Sequence, residues 1–300
     1  MKSREQITTD STSSVSSSTS FDPTKTALPV LAIKHATSQA SYWLSKGHGK
    51  RVTPLSRGTH ALLFVNEKEI DAVGVRSDAD KVQSVGIRAR WINKVYQSYI
   101  KTKGCKQIII LGSGFDIRSY KKNQENQTGK KHAAMYAQVK FFEIDSDKIL
   151  DYKEKIFSES HQDKNATYIR ADYTQKDFIE KLAKAGVDFK APTLFIWEGN
   201  IYYLDKLKIS ELMERLKTSF HDFALTFDYF TQTFLEETKA KLPKMPWNPD
   251  TGINNIQEFA DNFGLQLIES GRIADLAVEY EVDEKPIYGA AHYVCTLSKK

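Results

Sequence analysis

A short apolar segment followed by two glycines constrains the fold of this chain more than any other feature. Residues 108–111 are all apolar, and Gly112, Gly114 and the acidic Asp116 follow at once. Such a run is typical of a parallel strand whose two faces are both covered by helices. Glycines leave the backbone of the turn open to a ligand, and open α/β sheets bind ligands at the carboxyl ends of their strands. The segment therefore predicts a ligand site on an α/β sheet.

The order of patterns along the chain predicts a doubly wound, mostly parallel sheet of seven strands, because strand and helix patterns alternate. Strands are predicted at residues 107–111, 139–144, 166–170, 193–198, 222–228, 265–270 and 291–297. Helices are predicted at 26–42, 84–100, 146–158, 174–185, 205–219 and 254–263. Residues 274–290 show no strong helical pattern, so the last two strands are expected to form an antiparallel pair.

The N-terminal 22 residues form a Ser/Thr-rich leader that we predict to be disordered. It contains too little apolar surface to offset its ordering entropy, and it lacks the apolar segment of a secretory signal. Residues 23–300 are predicted to form one domain with a helical N-terminal extension and insertions. The cytoplasm is therefore the expected location.

Composition limits the classes of partner. The net charge is +5, but basic residues are scattered among nearly as many acids, so no nucleic-acid partner is expected. No apolar run approaches the roughly 18 residues of a membrane span, so no membrane partner is expected either. Cys105 and Cys295 lack metal-ligand spacing, and no metal site is predicted.

The glycine turn also distinguishes between two nucleotide ligands. A dinucleotide site needs a third glycine where Ile117 stands, so that the helix packs close to the strand and seats a pyrophosphate. A nucleoside without pyrophosphate, such as S-adenosylmethionine, tolerates the loss of this glycine. The turn at Gly112 and Gly114 therefore favours methyl transfer over an NAD-type oxidoreductase. A tight turn that binds no ligand is the alternative.

Acidic residues at the ends of the other strands are candidate ligand contacts. Asp145 ends the second strand and is expected to accept hydrogen bonds from the ribose hydroxyls. Asp172 follows the third strand and is expected near adenine, although either aspartate is also explained as a cap of the next helix. Glu198 follows the fourth strand and is a candidate for the amino group of a methionine moiety, whereas Tyr202 and Tyr203 are equally well explained as core aromatics.

Two arginines lie on the helix predicted before the sheet. Arg88 and Arg90 are two positions apart and therefore occupy different faces of that helix. One of them is expected to bind a carboxylate through two parallel hydrogen bonds. The pattern leaves open which one does so, and a solvated surface position is the alternative for each.

Together these segments resemble the leucine carboxyl methyltransferase family of class I S-adenosylmethionine-dependent enzymes. The matches are Lys34 with the Tyr-Trp pair at 42–43, and residues 86–93, 107–116, 142–145, 171–173, 198–203, 282–284 and 291–293. Ala89 and Asn93 replace a threonine and an aspartate of the family pattern, so Arg90 remains an alternative to Arg88. The resemblance implies S-adenosyl-L-methionine as the cofactor, held by Lys34, Arg88, Gly112, Gly114, Asp145, Asp172, Tyr173 and Glu198.

The resemblance also implies a carboxylate as the methyl acceptor, on a protein C-terminus or a small molecule. A carboxylate with a pKa near ~4 is ionised at neutral pH and needs no general base, whereas a hydroxyl needs one. His292 lies in a predicted strand and is more simply explained as a core residue, so no catalytic residue is assigned. The alternatives are a small-molecule hydroxyl methyltransferase of the polyketide type and a catalytically silent nucleoside-binding module.

Overall fold

A computed structural model describes residues 79–120, 136–159, 165–280, 282 and 287–300. The predicted leader at 1–22, the predicted helix at 26–42 and Lys34 lie outside the described residues.

Within the described residues, seven strands form one sheet. Their bounds are β1 Gln107–Leu111, β2 Lys140–Asp145, β3 Thr167–Arg170, β4 Thr193–Trp197, β5 Phe223–Phe230, β6 Leu265–Arg272 and β7 His292–Lys299. The strand order is β3-β2-β1-β4-β5-β7-β6. Among these strands, β7 is antiparallel to both of its neighbours, β5 and β6. The pairs β3-β2, β2-β1, β1-β4 and β4-β5 are all parallel. The predicted doubly wound sheet with a terminal antiparallel pair is confirmed.

Seven α-helices accompany the sheet within the described ranges. They are α1 Ala79–Thr102, α2 Asp147–Glu159, α3 Phe178–Lys184, α4 Lys206–Ser219, α5 Gln232–Lys241, α6 Ile256–Asn262 and α7 Ile273–Glu279. Residues 274–290, where no strong helical pattern was seen, contain most of the short α7, which packs Ile273, Leu276 and Ala277 into the same core cluster as α1. Among the described helices, none is both long and apolar enough to cross a lipid bilayer.

Strand β1 lies at the centre of the core. All five of its residues are buried. Ile108 and Ile110 contribute to the cluster that contains α1, and Ile109 and Leu111 to the cluster that contains α3, α4 and α6. Each such side chain contributes about 1.5–3 kcal/mol when it is fully buried. Packing on both faces therefore holds β1 firmly, and with it the glycine turn at its carboxyl end.

Candidate functional site

The glycine turn after β1 leaves no room for a side chain at Gly112. Gly112 and Gly114 have φ angles of 60° and 49°, which favour glycine. A Cβ atom on Gly112 would lie 2.6–2.8 Å from side-chain atoms of Asn200. The Asn200 amide donates to the backbone carbonyls of Leu111, Gly112 and Glu198 at 3.2, 3.1 and 2.9 Å. This amide, which was not predicted as a site residue, links the turn after β1 to the turn after β4.

Asp145 links the end of β2 to the glycine turn. Its Oδ2 accepts from the backbone N–H of Gly114, and its Oδ1 from the N–H of Ser146, both at 2.7 Å. Burial raises the pKa of Asp145, and these two N–H groups oppose that shift. The Ser146 hydroxyl also bonds to this carboxylate. A carboxylate has about four lone-pair directions, so at least one remains for a ligand. The ribose role and the capping role are therefore compatible.

Asp172 and Tyr173 make contacts that are mainly structural. The exposed Asp172 accepts from the backbone N–H and hydroxyl of Thr174 at 2.9 and 2.7 Å, which is a capping geometry. Burial raises the pKa of Asp172, but hydrogen bonds from Gln175 and Thr174 outweigh it and leave the pKa lowered. The buried Tyr173 hydroxyl accepts from the indole N–H of Trp197 at 3.1 Å.

Arg88 reaches the carboxyl ends of the strands, whereas Arg90 does not. The Arg88 guanidinium is buried and donates to Glu198 at 3.2 Å, to Asp228 at 3.0 Å and to the Tyr202 hydroxyl at 3.4 Å. The guanidinium of Arg90 instead lies 4.1 Å from the ring centroid of Tyr280. Of the two arginines, Arg88 is the one that belongs to the candidate site.

Glu198 bridges Arg88 to a second arginine. Its Oε2 accepts from Arg118 at 2.8 Å, and Arg118 also forms an ion pair with Asp116. The amide oxygen of Asn93 accepts from Arg118 at 3.0 Å. Arg118 was not among the predicted site residues, although an arginine two residues after the acid of a ligand-binding turn is a signal for such a pair.

A fully buried ion pair between Lys153 and Glu143 contacts the backbone of the glycine turn at Asp116. Lys153 donates to Glu143 and to the backbone carbonyl of Asp116, and both charged side chains have no exposed surface. The other Glu143 oxygen accepts from the Ser119 hydroxyl at 2.7 Å. In the ranges that the structure describes, no cluster of His, Cys, Asp or Glu has the arrangement of a metal site.

The leucine carboxyl methyltransferase family model matches residues 48–217. Two proteins of Mycobacteroides abscessus, each inferred to be an S-adenosyl-L-methionine-dependent methyltransferase, are 27% identical over 135 residues and 28% identical over 172 residues. The first alignment covers 44% of this chain and 39% of the relative, and the second covers 54% and 53%. The chain thus spans about half or less of the length of these curated relatives.

Two solved structures share the fold. A DUF574 family protein from Streptomyces avermitilis has a TM-score of 0.55 and 15% identity, with 80% of this chain and 95% of that chain covered. An inferred methyltransferase from Thermobifida fusca YX has a TM-score of 0.54 and 14% identity, with 90% and 94% covered. At these identities the likeness shows the fold alone. Because the family model spans more than half of the sequence, this chain belongs to the leucine carboxyl methyltransferase family.

Proposed function

We propose that this protein transfers a methyl group from S-adenosyl-L-methionine to an oxygen acceptor. One observation carries the proposal: at the carboxyl ends of neighbouring strands lie a glycine turn, a carboxylate and an arginine–glutamate pair. The sheet order β2-β1-β4 puts Asp145, Gly112 and Glu198 in a row along this edge. With strands about 4.8 Å apart, the row spans roughly 10 Å. This span suits a nucleoside with an amino-acid tail.

The polar groups of this row fit such a cofactor. Asp145 would accept from the ribose hydroxyls, Arg88 would hold the methionine carboxylate, and Glu198 would take the amino group. Within the described part of the chain, the buried hydroxyl of Ser113 in the glycine turn has no hydrogen-bond partner. Buried polar groups normally have partners, so a ligand with polar atoms would complete this turn.

The residues of this chain would act chiefly by alignment. The bound cofactor would supply a methyl group already activated on a sulfonium sulfur. Holding an acceptor oxygen in line with that methyl group can lower the barrier by about 7–11 kcal/mol. The rigid attachment of the glycine turn to both β2 and β4, through Asp145 and Asn200, favours this kind of catalysis.

The acceptor that we propose is a carboxylate, on a protein C-terminus or a small molecule. Family membership supports this choice, and an ionised carboxylate needs no general base. The imidazole at this edge, His292, is 2% exposed and shares its Nε2 with Asp228 at 2.9 Å. Burial lowers the pKa of His292. With Nε2 bonded to Asp228 and Nδ1 buried, His292 presents no exposed nitrogen to an incoming hydroxyl.

Calorimetric titration of the full chain tests the cofactor first. We expect S-adenosylmethionine and its demethylated product to bind and NAD not to bind. Binding of NAD alone would overturn the proposal. Tritium transfer from labelled cofactor to a C-terminal leucine peptide and to small carboxylic acids then tests the acceptor, because only a methyl ester releases methanol in base. Base-stable label on a hydroxyl compound would contradict the proposal that the acceptor is a carboxylate. Cofactor binding without transfer to any acceptor would favour a catalytically silent nucleoside-binding module.

A further inference from the structure

The guanidinium of Arg88 is held on two sides and left open on a third. Its Nε donates to Glu198, and its Nη1 donates to Asp228 and Tyr202. Within the residues that the structure describes, Nη2 makes no hydrogen bond. Gly199 leaves space against the guanidinium, because a Cβ there would come within 3.3 Å of Nη2. The protein thus orients this arginine and leaves one nitrogen for a ligand.

Asp228 is the buried group on which this orientation depends. Its side chain has no exposed surface, and its Oδ2 contacts both Arg88 Nη1 at 3.0 Å and His292 Nε2 at 2.9 Å. Its Oδ1 accepts from the backbone N–H of Gly199 at 2.6 Å. Burial raises the pKa of Asp228, but Arg88 and His292 outweigh it, so the pKa is lowered and the carboxylate stays ionised.

His292 has one ring nitrogen that is buried without a hydrogen-bond partner in the described residues. Because Asp228 is ionised, the Nε2 atom of His292 must carry the proton of the neutral imidazole. Nδ1 is then a bare acceptor, and it is buried without a hydrogen-bond partner in the described residues. An unpaired buried acceptor destabilises a fold. The contact that His292 does make, with Asp228, is therefore the one that accounts for a histidine here rather than an apolar residue.

We propose that Asp228 and His292 are positioning residues that fix Arg88 for the carboxylate of the cofactor. The inference rests on the proposed function, because it takes S-adenosylmethionine as the ligand of this edge. His292 lies on β7, Asp228 on β5 and Arg88 on α1. Three elements that are distant in sequence therefore orient one guanidinium. Neither Asp228 nor His292 touches the ligand in this scheme.

Variants of the full chain test each link of this arrangement. D228N keeps the shape of the side chain and removes its charge. H292L removes the donor to Asp228, whereas H292Q keeps an N–H group at the reach of Nε2. T226V is the matched control, because Thr226 is equally buried on the same strand and, among the described residues, its hydroxyl bonds only to Cys295 and Thr296 of β7. Circular dichroism and thermal unfolding identify any variant that fails to fold.

A comparison of two ligands distinguishes a loss of Arg88 positioning from a general disturbance of the binding site. S-adenosylmethionine carries the carboxylate that Arg88 would hold, and decarboxylated S-adenosylmethionine lacks only that group. We expect D228N and H292L to weaken the first ligand about tenfold to a hundredfold, the range expected when a charge-assisted hydrogen bond is lost. The same variants should bind the decarboxylated ligand as the wild type does. H292Q and T226V should bind both ligands normally.

Several results would overturn the inference. Equal losses for the two ligands would mean that Asp228 and His292 only maintain the fold, and an unchanged affinity in both variants would mean that Arg88 does not depend on them. An H292Q protein as impaired as H292L would exclude the donor to Asp228 as the cause. If the wild type bound neither ligand, the proposed function would fail and this inference with it, whereas a failure confined to the variants leaves the proposed function standing.

Discussion

Two buried charge clusters lie on either side of the glycine turn, and they differ in how completely they are paired. In the closed cluster of Glu143, Lys153 and Ser119, both oxygens of the carboxylate have a protein partner. In the open cluster of Arg88, Glu198, Asp228 and His292, the Nη2 atom of Arg88 has no hydrogen-bond partner among the described residues. Complete pairing suits a support for the fold. Incomplete pairing suits a place where a ligand supplies the missing contact.

Breaking the closed cluster should have the largest effect on stability. In K153M the Glu143 carboxylate would remain buried without its cation, and the free energy of unfolding should fall by about 3–5 kcal/mol. Urea unfolding measures this loss. K155M on the same helix is the control, since Lys155 is 69% exposed and should change stability by about 0.5 kcal/mol or less. Adding E143Q to K153M should recover part of the loss, because the uncompensated charge disappears. A K153M protein as stable as K155M would contradict the support role.

Changing the open cluster should affect ligand binding more than stability. A lysine at position 88 keeps the charge but cannot contact Glu198, Asp228 and a ligand carboxylate at once. We expect R88K to weaken S-adenosylmethionine binding about tenfold to a hundredfold in calorimetric titration. R90K is the control, because Arg90 packs on Tyr280 away from the strand ends. An equal loss in R90K would remove the distinction between the two arginines.

The glycine turn between the clusters should tolerate no Cβ atom. In G112A the new methyl group would meet the Asn200 side chain and the backbone would keep a positive φ. We expect a loss of about 1–3 kcal/mol in unfolding free energy. In an N200A background the same substitution should cost less, because the collision is relieved. Equal costs in the two backgrounds would show that backbone strain alone explains the effect.

The smallest expected effect is a pH dependence of stability that belongs to the open cluster. Burial lowers the pKa of His292 below its usual 6.5, and the positive charge of Arg88 lowers it further. The negative charges of Asp228 and Glu198 raise it but do not outweigh burial. Below pH 6.5 the unfolded chain binds the proton more readily, so stability falls as pH decreases, by at most about 1.4 kcal/mol per pH unit. Asp228, with its pKa lowered, adds a loss in the same direction below about pH 3.8. Unfolding curves of wild type and H292Q between pH 5 and 8 measure the histidine contribution, and parallel curves would refute it.

The fold was predictable because its strands are buried on both faces and therefore appear as continuous apolar runs. β1 is buried at every position, and its bounds were predicted to the residue. The helix α7 was not predicted, since seven residues are too few to establish a helical period. Its place in the structure depends on the core that α1 provides.

The candidate site was predictable only where topology alone brings residues together. Asp145 and Glu198 each follow a predicted strand, so their meeting at one edge follows from a parallel sheet. Asp228 contacts Arg88 across 140 residues of sequence, and no local pattern signals that pair. A charged residue in the mostly apolar strand Phe223–Phe230 was the available hint.

The insertion of β7 between β5 and β6 has a consequence for the nascent chain. Strand β5 has all eight residues buried in the finished sheet, yet His292, whose imidazole bonds to the Asp228 side chain, is synthesised 64 positions after Asp228. Until residues 292–299 emerge, β5 presents an unpaired, aromatic-rich edge of the kind that promotes aggregation. We expect this interval to be when ribosome-bound chaperones matter most to the yield of the protein.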